Sequence, residues 1–461
     1  MPARFLVALR IAFLAAPFVA EGALEPRPAE AAAARAVVLL TVDGLLPESY
    51  VHPDAHGLRV PTLRRFVAEG ATSDGARSVF PSVTYPAHTS IATGVSPSRH
   101  GIVSNRTRDP LEKNLEGWRW YSEDVHATPI WTVAERAGLK TGLVSWPVTV
   151  GATASWVLPE FWRARTAEDV KLLRALTTPR LAAGLAAAKP DAWASFQAEG
   201  DNDGFITTTV EWLLRNERPR LLLVHLAAVD EAQHKTGLWS KEAIEAIEAT
   251  DQRIARLIEA TRTAGTFAQT TFVVASDHGF APVTRAVRPG TLLREAGLVQ
   301  VDDKQKVISA RVSIVASAGQ AYLYLEDGAP ASEEAARRVF EAQAARPDGG
   351  IARIYDRAAI RAAEGDPAAW LAIEAQLGTT FVAGYAGPYV TPSTATRATH
   401  GYDPGRPEMR ASLLVLGPEI PHGRIEGARL IDIAPTIASR LGLALPEAEG
   451  RNLFPRPLKR P

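Results

Sequence analysis

The sequence predicts an α/β fold built on a mostly parallel central sheet, with a smaller α+β unit inserted late in the chain. Three observations carry this expectation. Short apolar runs of strand length alternate with longer stretches of helical period. Polar, ligand-type residues follow directly after several of those runs. Between Ala281 and Ala395 the texture changes to clustered short strand-like runs, in a stretch without histidine.

Taken in order, Ala36 to Val42 reads as a buried strand that ends at Asp43-Gly44. Thr62 to Glu69 has helical character. A strand-like run covers Ala76 to Phe80, and Pro86 suits the first turn of a helix passing through Ile91 to Thr93. Thr141 to Trp146 reads as a strand. Phe205 to Asn216 reads as a helix leading into the strand Leu221 to Leu226. From Lys241 to Thr263, Ile244, Ile247, Ile254, Leu257 and Ile258 share one helical face. Thr271 to Ala275 is the next strand and ends at Ser276-Asp277-His278-Gly279. Within the inserted region a hairpin is expected over Gly297 to Ile308, strands over Val312 to Val315 and Ala321 to Leu325, and a helix over Ser332 to Ala345. Ser412 to Leu416 is a further strand. The closing helix runs from Asp432 to Leu441, with Asp432 as its N-cap. The expected organisation is therefore a main α/β unit of 36–281 plus 396–454, which carries the ligand-type residues, and an α+β insertion of 282–395.

Composition bounds the function. The 461 residues carry 51 Lys+Arg and 51 Asp+Glu, so no global field recruits a nucleic-acid polymer or an anionic membrane. Residues 1–31 read as a secretory signal: a basic start, an apolar stretch from Phe5 to Ala20 interrupted by Arg10, and a small-residue site at Ala29-Glu30-Ala31. The alternative is a short membrane anchor, but the uninterrupted run falls well below the ~20 residues that a span needs. A periplasmic or secreted protein without stable membrane insertion is the expectation. The chain has no cysteine, so any metal site must use nitrogen and oxygen ligands.

The chemistry concentrates in a few strings. Asp43, Asp230-x-x-x-His234, Asp277-His278 and His400 supply three carboxylates and three imidazoles, a set suited to two adjacent divalent ions. Asp43, Asp230 and Asp277-His278 all lie just past apolar strands, which is the ligand-binding edge of a parallel sheet. Thr84 sits at or just before a helix N-terminus, where partial positive charge favours phosphate and an ionised hydroxyl. The plain alternative is an ordinary N-cap threonine. His88, His100 and His225 read as packing or supporting histidines.

These strings, with Val42-Asp43-Gly44, the segment from Phe80 to His88, and the segment from Gly94 to Asn105, resemble the alkaline phosphatase superfamily. More narrowly they resemble the nucleotide pyrophosphatase/phosphodiesterase (type I phosphodiesterase) family. The resemblance implies a three-layer αβα sandwich and two zinc ions, although manganese or iron suits similar ligands. Carried over, Asp230, His234 and His400 hold one ion. Asp43, Asp277 and His278 hold the other, completed by Thr84 as nucleophile. Asn105 would donate to a phosphoryl oxygen, and Tyr85 would line the substrate slot. The implied reaction is hydrolysis of a small phosphoester, nucleotide-like in the family's manner, through a phosphothreonine.

Arg163 and Arg165 depart from the nucleotide enzymes' pattern. Guanidinium groups there could bind the extra charge of a phosphomonoester, or they are solvated residues that begin the helix at Thr166. Three readings follow: a phosphodiesterase or pyrophosphatase, a phosphomonoesterase or phosphonate hydrolase on the same scaffold, and a non-catalytic metal-dependent binding protein.

Overall fold

A computed structural model describes residues 35–114, 117–161, 166–196 and 202–455. The signal segment, Arg163 and Arg165 lie outside the described residues. Six strands open the chain: β1 (Ala36–Val42), β2 (Ala71–Ala76), β3 (Thr141–Val144), β4 (Trp156–Leu158), β5 (Leu221–Leu226) and β6 (Thr270–Ala275). With Ala411–Leu416 and Gly423–Arg424 they form one eight-stranded sheet. Its order is Gly423–Arg424, β2, Ala411–Leu416, β6, β1, β5, β3, β4. The pairings of β1 with β5 and β6, and of β3 with β4 and β5, are parallel, whereas Ala411–Leu416 runs antiparallel to both β2 and β6.

Alternation along each strand divides the core into two layers. Val38, Leu40 and Val42 of β1 point with Leu222, Val224 and Leu226 of β5 into one buried cluster. Val37 and Leu39 point with Leu221 and Leu223 into the other. Both faces are apolar because helices cover both, as parallel sheets require. The 23-residue helix Lys241–Thr263 covers the first face through Ile247, Ile254, Leu257 and Ile258. The closing helix Ile433–Leu441 covers the second through Ile433, Ile437 and Leu441. The mixed α/β architecture expected from the alternating pattern is what the chain adopts.

After β6 the chain leaves this sheet. Val312–Ser317, Gln320–Leu325, Leu371–Ala375 and Ile351–Asp356 form a four-stranded antiparallel sheet. The helix Pro330–Ala344 packs on it through Ala336 and Phe340. The strand Ala281–Val287 pairs antiparallel with Ala398–Thr399, which brings the departing and returning chain side by side. His278 and His400 flank that pairing.

Most element ends shift by a residue or a few, and local structure departs further from expectation at four places. The strand near Phe80 ends at Ala76, and the chain that follows is held by Arg77 N donating to Ala428 O and Ser78 Oγ to Asp277 O instead of a ladder. β3 stops at Val144 because Ser145 turns to φ 53°. The helix Asn202–Trp212 finishes in a wide π turn over Leu213–Glu217. Asp432 occupies the cap position of the last helix, but its carboxylate accepts from the N–H groups of Arg429 and Arg451.

Candidate metal centre and nucleophile

The parallel register puts the strand ends at one level: Thr41 pairs with His225 and with Ala275. Asp43, the turn after β5 and Ser276-Asp277-His278 therefore emerge together at the carboxyl edge of the sheet. The helix Ala228–Thr236 then carries Asp230 and His234 one turn apart, on one face. Its start is held by the buried Asp203, whose two oxygens accept from Ala227 N at 3.0 Å and Ala228 N at 3.1 Å.

Two groups of ligand atoms converge: Asp43, Asp277 and His278, and Asp230, His278 and His400. His278 belongs to both, and its ring stacks on that of His400 with centroids 3.6 Å apart. His234 Nε2 stands 3.5 Å from Asp230 Oδ1, and His400 Nε2 stands 3.8 Å from the same oxygen. All six expected ligands are thus brought together. Asp43, Asp277, His278 and His400 are buried, whereas Asp230 and His234 are half-buried and open the centre on their side.

The surrounding hydrogen bonds prepare the imidazoles for ligation. His234 Nδ1 donates to Ala398 O at 2.8 Å, His400 Nδ1 to Ser82 O at 3.1 Å, and His278 Nδ1 to Gly279 O at 3.2 Å. A carbonyl can only accept, so each Nδ1 carries the proton and each Nε2 presents its lone pair to the centre. Asp43 Oδ1, Asp230 Oδ1, Asp277 Oδ2 and His278 Nε2 are buried without a hydrogen-bond partner. Four such atoms facing one another are costly unless a cation meets them. Divalent ions fit this donor set.

The electrostatics carry the same strain. Burial, reinforced by the charges of Asp277 and Asp230, pushes the Asp43 carboxyl well above its ordinary range against the opposing pull of His225. Burial likewise raises Asp277 to about 7. Burial and the neighbouring imidazoles hold His278 well below the usual histidine value, and burial leads in lowering His400 to about 4. Crowded carboxylates beside the neutral imidazoles of His278 and His400 form a site whose charge balance a cation would restore.

Thr84 begins the helix Thr84–Thr93, with Val83 as its N-cap. The preceding loop is tied to the centre, since Ser82 Oγ donates to Tyr402 O and Ser82 O receives His400 Nδ1. His88 holds the threonine from the other side: its Nδ1 donates to Thr84 O at 2.8 Å, and it lies 3.7 Å from Asp277 Oδ2. Asn105 Oδ1 accepts from Tyr85 N at 2.8 Å. An N–H must donate, so that contact fixes the amide and leaves its NH₂ group for another acceptor. Two glycines allow the close approaches. Gly44 has φ 65°, and a Cβ there would meet Phe280 at 2.4 Å. Gly401 has φ 89°, and a Cβ there would meet Ser317 O at 2.4 Å.

Tyr85 is fully buried, packed with Ile102, Trp120, Val148 and Val150. Trp118, half-buried and 5.3 Å away, is the aromatic surface beside it. Glu160 was not among the residues expected from sequence. It follows the strand β4 by two residues, the same signal that singled out Asp43, and it contacts His225 Nδ1.

The family model of type I phosphodiesterase / nucleotide pyrophosphatase matches residues 37–403. The chain belongs to that family. Human ectonucleotide pyrophosphatase/phosphodiesterase family member 1 is 25% identical over 252 residues, which is 52% of this chain and 23% of that protein. The Xenopus laevis bis(5'-adenosyl)-triphosphatase is 31% identical over 116 residues, 24% of each chain. The matched stretches thus span about a quarter of these relatives' length. Among solved structures, human ectonucleotide pyrophosphatase/phosphodiesterase 5 superposes with TM-score 0.65 at 18% identity, covering 91% of this chain and 98% of that one. An inactive threonine-to-alanine form of the murine protein, in complex with AMP, gives TM-score 0.65 at 19% identity, covering the same shares. The type I phosphodiesterase family member described here shares their fold. No helix among its described residues is long and apolar enough to cross a membrane.

Proposed function

We propose that this family member is a phosphodiesterase or nucleotide pyrophosphatase that uses two divalent ions, zinc by preference, and Thr84 as nucleophile. The observation that carries the reading is the convergence of four partnerless buried ligand atoms beside a threonine at a helix N-terminus. Asp43, Asp277 and His278 would hold one ion; Asp230, His234 and His400 would hold the other. Bound there, the ions would neutralise charge on phosphoryl oxygens and ease ionisation of the threonine hydroxyl.

The residues divide the remaining work. Thr84 Oγ attacks phosphorus in line with the departing group, and the P–O bond to that group breaks as the Thr84 Oγ–P bond forms. Water then attacks the phosphothreonine and restores the hydroxyl. The NH₂ group of Asn105, oriented by Tyr85 N, donates to a non-bridging oxygen as its charge grows. The opening beside Asp230 and His234 gives water and the leaving group a path. The inactive threonine-to-alanine neighbour captured with AMP supports both the nucleophile and a nucleotide-like substrate. The ectonucleotide relatives support a location outside the cytoplasm, periplasmic or secreted.

The deciding assay compares a nitrophenyl ester of a nucleotide with nitrophenyl phosphate, with zinc and with chelator. Faster zinc-dependent release from the diester is expected. Preference for the monoester would transfer the reading to a phosphomonoesterase. Bound metal without hydrolysis of either ester, or of a broader phosphoester and phosphonate panel, would leave a binding protein.

A further inference from the structure

Behind the ligand Asp43 lies a buried pair, Glu160 and His225, that takes no direct part in the proposed reaction. Glu160, His225 and Asp43 are 3%, 1% and 3% exposed. Glu160 Oε2 contacts His225 Nδ1, and His225 Nε2 lies 3.1 Å from Asp43 Oδ2. The other oxygen of Asp43 faces His278 Nε2 at 3.4 Å. The ring of His225 packs 4.4 Å from His88, the residue that holds the carbonyl of Thr84. Trp146 covers His88 on a further side, with ring centroids 5.0 Å apart.

A buried polar chain of this kind is a poor way to stabilise a sheet. Well-packed apolar residues at similar volume do as well or better, and every other residue of β5 is Leu or Val. What the chain does accomplish is geometric. A carboxylate has two oxygens and can bind an ion through either or both. With Oδ2 of Asp43 occupied by His225 Nε2, only Oδ1 remains to face the centre. Glu160 prevents His225 from turning away, because the opposite ring nitrogen is held as well.

We infer that Glu160 and His225 are positioning residues that hold Asp43 as a one-oxygen ligand, and so fix the ion shared with Asp277 and His278 against Thr84. The inference rests on the two-ion reading above. Outer partners of metal ligands typically contribute ~10–100-fold to metal affinity.

Three substitutions at one position separate geometry from charge. Glu160→Gln keeps both contacts, since the amide can donate to Nδ1 while Nε2–H still serves Asp43. Glu160→Asp keeps the charge but withdraws it by one methylene. Glu160→Leu keeps volume and removes the contact. Zinc and cobalt(II) binding to the full chain is followed by competition with a chromophoric chelator, alongside thermal unfolding.

Wild type is expected to bind two ions. Glu160→Leu and Glu160→Asp should weaken one of them by ~10–100-fold and the other by no more than about twofold. Glu160→Gln should stay within about threefold of wild type at both. Should Glu160→Leu fail to fold, the contrast between Gln and Asp still decides the matter. Unchanged affinities in Asp and Leu, an equal loss at both ions, or Gln weaker than Asp would overturn the inference while leaving the two-ion reading intact. A wild-type protein that binds no divalent ion would overturn both.

Discussion

Asp277→Asn is expected to stabilise the metal-stripped protein at alkaline pH and to weaken it once zinc is present. Asp277 is fully buried, and burial leads in pushing its carboxyl from 3.8 up to about 7, with Asp230 adding to the rise and His225 and Gly44 N opposing it. The folded state therefore holds this proton more tightly than the unfolded chain. The stability it contributes is fully present below about pH 4 and is lost as pH rises through about 7. At ~1.4 kcal/mol per pH unit, the loss amounts to at most about 4 kcal/mol above that range. Asparagine cannot ionise and avoids it. The amide also fits: Oδ1 can keep the 3.2 Å contact from Gly44 N, and Nδ2 can donate to the lone pair of His278 Nε2, 3.1 Å away. Urea unfolding of both proteins in chelator, from pH 5 to pH 8.5, measures the difference. The gap should widen with pH in favour of the variant. With free zinc at a hundredfold over Kd, wild type gains about 2.7 kcal/mol for each ion bound and the variant, short of one ligand, gains less. Parallel pH curves in chelator, or a variant no more stable than wild type at pH 8.5, would refute the argument from an uncompensated buried carboxylate.

Further expectations concern the nucleophile, its donor and one turn. Thr84→Ala should lower turnover by at least ~10³-fold while leaving zinc stoichiometry at two by metal analysis; retained hydrolysis would remove the threonine from its assigned role. Asn105→Asp keeps the acceptor for Tyr85 N but loses the amide donor and adds charge, so kcat should fall by ~10²–10³-fold with little change in melting temperature. Gly401→Ala combines a φ of 89° with a 2.4 Å approach to Ser317 O. It should cost more than ~1–2 kcal/mol in urea unfolding and, by shifting His400, weaken zinc binding as well.

The legible part of the fold was the part written locally. The strands β1, β5 and β6 are mostly apolar runs, and the helix Lys241–Thr263 shows its buried face in its period. The run Ala76 to Phe80 misled because Phe80 is buried for a different reason: it packs against Tyr322 and Tyr355 of the four-stranded antiparallel sheet and joins no ladder itself. His225 lies inside an otherwise aliphatic strand, so its partners depend on which strands flank β5. Glu160 becomes visible as a functional residue only once β4 is known to lie at the same edge as β1.

The sequence by itself determined the chemical inventory and its order: three carboxylates and three imidazoles, with Asp43 and Asp277-His278 just past apolar strands, a threonine at a helix start, and strings that resemble one family. Those features are local, since a strand end and a helix start are set by a few neighbouring residues. Only the tertiary structure decided which atoms meet. It placed His278 between both ligand groups, gave each imidazole its Nδ1 acceptor, buried Tyr85 beneath Trp118, and set Glu160 and His225 behind Asp43. Those contacts depend on strand order and register, which arise from packing between residues far apart in the chain, and no local pattern encodes them.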